Sequence, residues 1–177
     1  MHVLVYAIVY ARNKEEALEK AKAIFAGLYE KRLIAYFATF DMTDFSPQER
    51  WGYDIPAVMN ALRPDAMKRI NEAMDKTWEF FKENITMVRK LLDTYTDEEI
   101  FEEEAKEEKI GNGGFDPIRI ARRYFDYIAR SEGLGIYLYD GNGIGITSRH
   151  QLKEVMNKWE KMYEDLDIWL VPAELGF

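Results

Sequence analysis

The sequence predicts an α/β (α+β) domain of 177 residues, built on a sheet covered on both faces. Three observations carry this reading. The stretch His2–Ala11 is apolar on both of its alternating faces, the pattern of a strand in the middle of a doubly covered sheet. A strand–helix–strand succession recurs at the two ends, in residues 1–41 and 134–177. Between them, residues 63–131 read as a run of helices. Two βαβ units joined in this way make a ferredoxin-like sheet, βαβ…βαβ. Both crossover helices would then lie on one face, and the long helical insertion would cover the second. One domain, 1–177, is expected: sheet core 1–41 and 134–177, a packed loop 42–62, and the insertion 63–131.

Each element has its own signal. Asn13 and Glu16 have the spacing of a capping box. Leu18, Ala21, Phe25 and Leu28 follow at helical spacing, with charged residues on the other side. Leu33–Asp41 reads as the second strand. Residues 42–62 lose periodicity around Asp44, Ser46, Pro47, Gly52 and Pro56, yet carry Phe45, Trp51, Tyr53, Ile55 and Val58, so the loop is expected to pack down. Pro64 suits the first turn of a helix. Met67, Ile70, Met74, Trp78, Phe81, Ile85, Val88 and Leu92 then step by three or four along one stripe. Thr96 and Glu99 suggest a further cap, opening an acidic helix that Gly111–Gly114 ends. Asp116 and Pro117 start a basic helix showing Arg119, Arg122, Arg123 and Arg130. Ile136–Asp140 is the third strand, and Ile144–Thr147 folds back beyond a Gly-Asn-Gly turn. Ser148 and Gln151 open the last helix, with Leu152, Val155, Met156, Trp159, Met162 and Tyr163 inward. Asp167–Val171 is the last strand, ended by Pro172.

Composition narrows the function. There is no cysteine, which excludes disulfides, thiol nucleophiles and thiolate metal sites. With only His2 and His150, a histidine-rich metal site is excluded too. The net charge of −8 disfavours direct binding to nucleic acid or anionic membranes. Residues 97–109 hold eight acids against two lysines, so most of that charge sits in one segment. Abundant Glu and Lys with two glutamines suit a heat-adapted, thermophilic source. No apolar run is long enough to span a bilayer, and the N-terminus lacks the basic start of a secretory signal. A cytoplasmic protein is expected.

No cofactor is implied. Gly111-Asn112-Gly113-Gly114 lacks the third glycine of a dinucleotide fingerprint, since Asp116 stands there. Asp140, Asn142 and Gly145 mimic part of a calcium loop, but Ile144 and Gln151 occupy two of its ligand positions, so the stretch reads as a turn. His150 reads as a surface histidine. Two short segments, Arg50-Trp51-Gly52 with Ile55-Pro56-Ala57-Val58, and Trp169-Leu170-Val171-Pro172-Ala173, together with the N-terminal strand and helix, Tyr137-Leu138-Tyr139-Asp140 and Trp159, resemble an uncharacterised family of archaeal proteins. The resemblance covers about half the chain and implies a ferredoxin-like core without an activity.

The remaining constellation is aromatic and basic: Arg50, Trp51, Tyr53 and Asp54 in the loop, with Arg123, Tyr124 and Tyr127 on the basic helix. Trp, Tyr and Arg dominate interfaces and ligand clefts. No catalytic set or metal site accompanies them. The sequence therefore points to a non-enzymatic interaction module for a protein partner or small ligand, compatible with a homodimer. One alternative is a magnesium-dependent hydrolase or nuclease using Asp41, Asp44 and Asp54. Another is an inhibitor that mimics nucleic acid through the acidic helix 97–109.

Overall fold

The computed structural model describes residues 1–41, 47–98, 133–162 and 165–177, with backbone alone at 91 and 158–162. Helix 97–109 beyond Glu98, the basic helix and Asp44 therefore lie outside the described residues. The chain divides into two compact units, Met1–Thr77 with Ser131–Phe177, and Trp78–Arg130.

The first unit is a mixed α/β sheet domain. Its strands are β1 (His2–Ala11), β2 (Tyr36–Thr39), β3 (Met59–Asn60), β4 (Leu138–Tyr139) and β5 (Asp167–Gly176). Its helices are α1 (Lys14–Glu30), α2 (Gln48–Trp51), the start of α3 (Pro64–Thr94) and α4 (Arg149–Met162). The sheet runs β2-β5-β1-β4, with β3 pairing β5 beside β2. β1 is parallel to β4 and antiparallel to β5. It is central, as its two apolar faces demand. Val3, Val5, Ala7, Val9 and Ala11 face one core, and Leu4, Tyr6, Ile8 and Tyr10 the other.

The first βαβ unit forms as expected. Asn13 caps α1 by accepting from Glu16 N at 2.9 Å, and Glu16 in turn accepts from Arg12 N. Ala17, Ala21, Ile24, Phe25 and Leu28 seal the first core. The second half departs from the plait. β4 and β5 run in opposite directions, so they and α4 are not a βαβ crossover, which joins parallel strands. Strand length gives the physical reason. β5 pairs with β1 along ten residues, whereas β4 offers two. The longer ladder takes the place between β1 and β2, and the short strand takes the edge. The two helices consequently cover opposite faces. Leu152 of α4, with half-buried Val155 and Met156, packs into the second core, not beside α1.

Among the described residues of the first unit, three pieces pack on the second face: α4, the residues Ile55, Met59 and Ala61, and Ala66, Ile70, Ala73 and Met74 of α3. The predicted α3 stripe is rotated. Two successive four-residue steps, Ile70 to Met74 to Trp78, each overshoot a 3.6-residue turn by about 40°. Ala73 and Thr77 stay on the buried side, while Trp78 is 56% exposed. Within the second unit, Trp78 stacks on Phe81 at 5.5 Å, and Asn84 is buried with Nδ2 donating to Phe80 O at 2.7 Å.

Pro172 does not end the last strand, which continues to Gly176. On the side of β5 away from β1, β3 pairs residues 169–170 and β2 pairs 173–176. Pro172 falls in the interval between them. A proline lacking its N–H is tolerated where no ladder bond is required of it.

Candidate functional site

Residues 47–58, beyond β2, are held by two polar fastenings, both within the first unit. The first is built on Glu174. Continuing β5 past Pro172 puts this carboxylate on the second face, opposite Leu4 and Ala38, where it is 4% exposed. A buried carboxylate must be paired and hydrogen-bonded. Glu174 is met three times. Trp51 Nε1 donates to Oε2 at 2.7 Å, Arg50 Nη1 donates to Oε1, and His2 Nδ1 lies 2.6 Å from Oε1. Tyr36 meets His2 edge to face at 5.9 Å between ring centroids. Burial, and then the Glu174 charge, push the Tyr36 hydroxyl above its ordinary pKa, with Arg50 opposing.

Local structure delivers Arg50 and Trp51 together. The short helix α2 is held by Trp51 N and Gly52 N bonding back to Pro47 O and Gln48 O at 2.9 and 2.8 Å. Gly52 then reverses the chain with φ 112°, a conformation that side chains resist. A Cβ there would lie 2.6 Å from Asp54 Oδ1.

The second fastening is a relay from the loop to α3 and β1. Arg69 Nη2 donates to Asp54 Oδ2 at 3.4 Å and also bonds the Tyr6 hydroxyl. Burial pushes Tyr6 up in pKa, and the Arg69 hydrogen bond only partly opposes it. For Arg69 itself, burial pulls downward, and Tyr6 and Asp54 outweigh it to hold the guanidinium above its usual value. Beyond Asp54 the loop is anchored by apolar burial of Ile55, Val58 and Met59, and β3 adds main-chain pairing to β5.

Of the residues singled out in the sequence, Arg50 and Trp51 thus share one partner, and Asp54 holds another. Tyr53, between them, is 75% exposed. Arg123, Tyr124 and Tyr127 lie outside the described residues. Sequence reasoning missed Glu174, Tyr36 and Arg69, and treated His2 only as a histidine too few for a metal. The available signal was the continued alternation of Ala173 and Leu175 beyond Pro172, which buries the intervening Glu174.

Of the carboxylates of the metal-enzyme alternative, Asp44 lies outside the described residues, and Asp41 and Asp54 are separated. Asp41 pairs with Lys22 of α1 at 2.9 Å on one side of the sheet, and Asp54 pairs with Arg69 of α3 on the other. Burial raises Asp41, but hydrogen bonds from Thr39 and Lys22 outweigh it and hold the carboxyl below its ordinary value. Among the described residues no three acids or histidines are grouped to hold a metal ion. His150 is exposed, with Glu154 3.7 Å away.

Both oxygens of Glu174 are taken by donors, so the arrangement fixes a loop rather than offering a free base. A family model for a domain of unknown function matches residues 1–177. The chain belongs to the DUF7995 family. No curated protein and no solved structure matches it. Among the described residues of this DUF7995 domain, no helix is long and apolar enough to cross a membrane.

Proposed function

We propose that this DUF7995 domain is a cytoplasmic binding module whose contact surface is the loop of Arg50, Trp51, Tyr53 and Asp54, and whose partner is a protein. One observation carries the reading. Tyr53 is 75% exposed while Trp51 and Arg50 just before it are fastened to Glu174, and Asp54 after it, its side chain 81% exposed, reaches Arg69 at 3.4 Å. An aromatic side chain held out on an ordered loop loses little conformational freedom on binding, and such residues dominate interface energetics. Arg50, half exposed beside it, supplies a cationic edge.

The test is affinity capture with wild-type protein and Tyr53→Ser in parallel, bound species identified by mass spectrometry and self-association measured by sedimentation equilibrium. A partner, or a second copy, retained by the wild type and lost by Tyr53→Ser at unchanged thermal stability supports the reading. Identical captured species and identical self-association for the two proteins would overturn it.

A further inference from the structure

At the other end of β1 the first unit holds a second feature, independent of the Tyr53 loop. A cavity of about 210 Å³ lies between the turn after β4 and the start of α4. We propose that it binds a small organic cation, an ammonium or guanidinium on a short aliphatic stem.

Size comes first. A cavity of about 150 Å³ admits benzene, and drug-sized ligands need roughly 300 Å³ or more. This cavity therefore takes a group the size of one amino-acid side chain and excludes a nucleotide. Its lining supplies the rest. Ile146 and Val155 give an aliphatic wall, with exposed Ile144 at the mouth. The charged residues lining it are Asp140 and Glu154, both acidic, and the carboxamides of Asn142 and Gln151 complete it.

The polar groups are oriented by the fold. Asp140 Oδ1 accepts from Asn142 N and Ile144 N, both at 2.9 Å, which fixes the turn. Its second oxygen is not used by these bonds. Gln151 Oε1 accepts from Thr147 N and Ser148 N at 2.9 and 3.1 Å, which fixes the start of α4 along the cavity wall and leaves the two carboxylates as the groups that a cation would meet. Glu154 Oε2 lies 3.7 Å from Nδ1 of exposed His150. A cation with an apolar stem satisfies this lining on both counts. An anion meets two carboxylates, and a purely apolar guest leaves them unpaired.

The experiment is an NMR titration of the full chain with n-butylammonium and n-butylguanidinium, against n-butanol, butyrate, calcium and magnesium. Saturable shifts of the Ile144, Gly145, Ile146 and Gln151 amides with the organic cations, and not with butanol or butyrate, are expected. Glu154→Gln should weaken binding about two- to fivefold, the scale of an ion pair whose carboxylate is 66% exposed. Asp140→Asn, which keeps an oxygen for the turn, should do the same; if it disturbs the turn, Glu154→Gln decides alone. An arginine-containing peptide distinguishes the sources of this one chemistry. Binding more than tenfold tighter than butylguanidinium assigns the pocket to a protein's side chain, and equal binding assigns it to a free amine. No saturable shift, equal binding of butanol, response to calcium or magnesium alone, or affinity unchanged in Glu154→Gln would overturn the proposal.

Discussion

Replacing Glu174 by Gln tests whether one buried carboxylate holds the loop. Gln has the same shape and keeps one acceptor oxygen, but loses the charge and presents an NH2 group to one of three donors. With the amide nitrogen at the Oε2 position, Trp51 Nε1, now 2.7 Å from its acceptor, is left unpaired. A donor buried without a partner costs about 1–3 kcal/mol. Arg50 also loses its counter-charge. A charge-assisted bond contributes about 1.5–3 kcal/mol, but the Arg50 side chain is 50% exposed and water restores much of that. The two effects together give about 2–3 kcal/mol, a large part of the 5–15 kcal/mol by which a domain is typically stable, and about 4–12 °C in thermal midpoint for a chain of this size. Urea unfolding followed by circular dichroism measures the loss, and chymotrypsin nicking after Tyr53 reports the loop. The nicking rate should rise more steeply than global unfolding explains. A double-mutant cycle with Arg50→Met should show coupling, because both changes act on one contact. A Glu174→Gln protein within about 0.5 kcal/mol of wild type, with unchanged nicking, would refute the fastening.

Gly52→Ala should destabilise by about 1–3 kcal/mol, since φ 112° excludes a side chain and the new Cβ would meet Asp54 Oδ1 at 2.6 Å; urea midpoints check it. Ile70→Ala, at a fully buried position of the second core, should cost about 2–5 kcal/mol, whereas Trp78→Ala should cost far less because that ring is mostly exposed; a reversed order would show that the buried face of α3 has been misplaced. Asp41 has a folded pKa below its ordinary value, so its stabilisation is complete above the ordinary carboxyl range and lost as pH falls through the lowered value. Asp41→Asn should therefore flatten the acid limb of the stability profile, read as urea midpoints from neutral pH downward. An acid limb as steep as the wild type's would reject that assignment.

The local elements were legible because each depends on neighbours in sequence. The two-faced apolar pattern of His2–Ala11 placed β1 at the centre, and the Asn13–Glu16 spacing placed the start of α1. Pro64 opened α3 where expected, and Ser148 with Gln151 capped α4. Strand order was not legible, because it is decided by competition between distant ladders. Nothing in residues 136–140 says that only Leu138 and Tyr139 will pair, and nothing in Pro172 says that it falls between two partner strands. The sequence pattern ends the last strand at Val171, whereas the five further residues to Gly176 complete its ten-residue ladder with β1 and supply its pairing with β2.

The same five residues explain what was visible of the site. Arg50, Trp51, Tyr53 and Asp54 stood out by chemical type, which is a local property, but their roles come from partners more than a hundred residues away in one case and fifteen in the other. Type alone grouped all four as one surface. The structure instead divides them by what they touch. Arg50 and Trp51 are committed to Glu174, whereas Tyr53 and Asp54 both present most of their side chains to solvent, Asp54 reaching Arg69 from its exposed position. The loop therefore works as a mount. A substitution at Trp51 should weaken recognition by loosening Tyr53 rather than by deleting a contact. That distinction is measurable. Trp51→Phe removes the Nε1 donor while keeping a smaller aromatic ring, so it should lower stability and binding together, whereas Tyr53→Ser should lower binding alone; equal loss of stability in both would place Tyr53 among the fastenings.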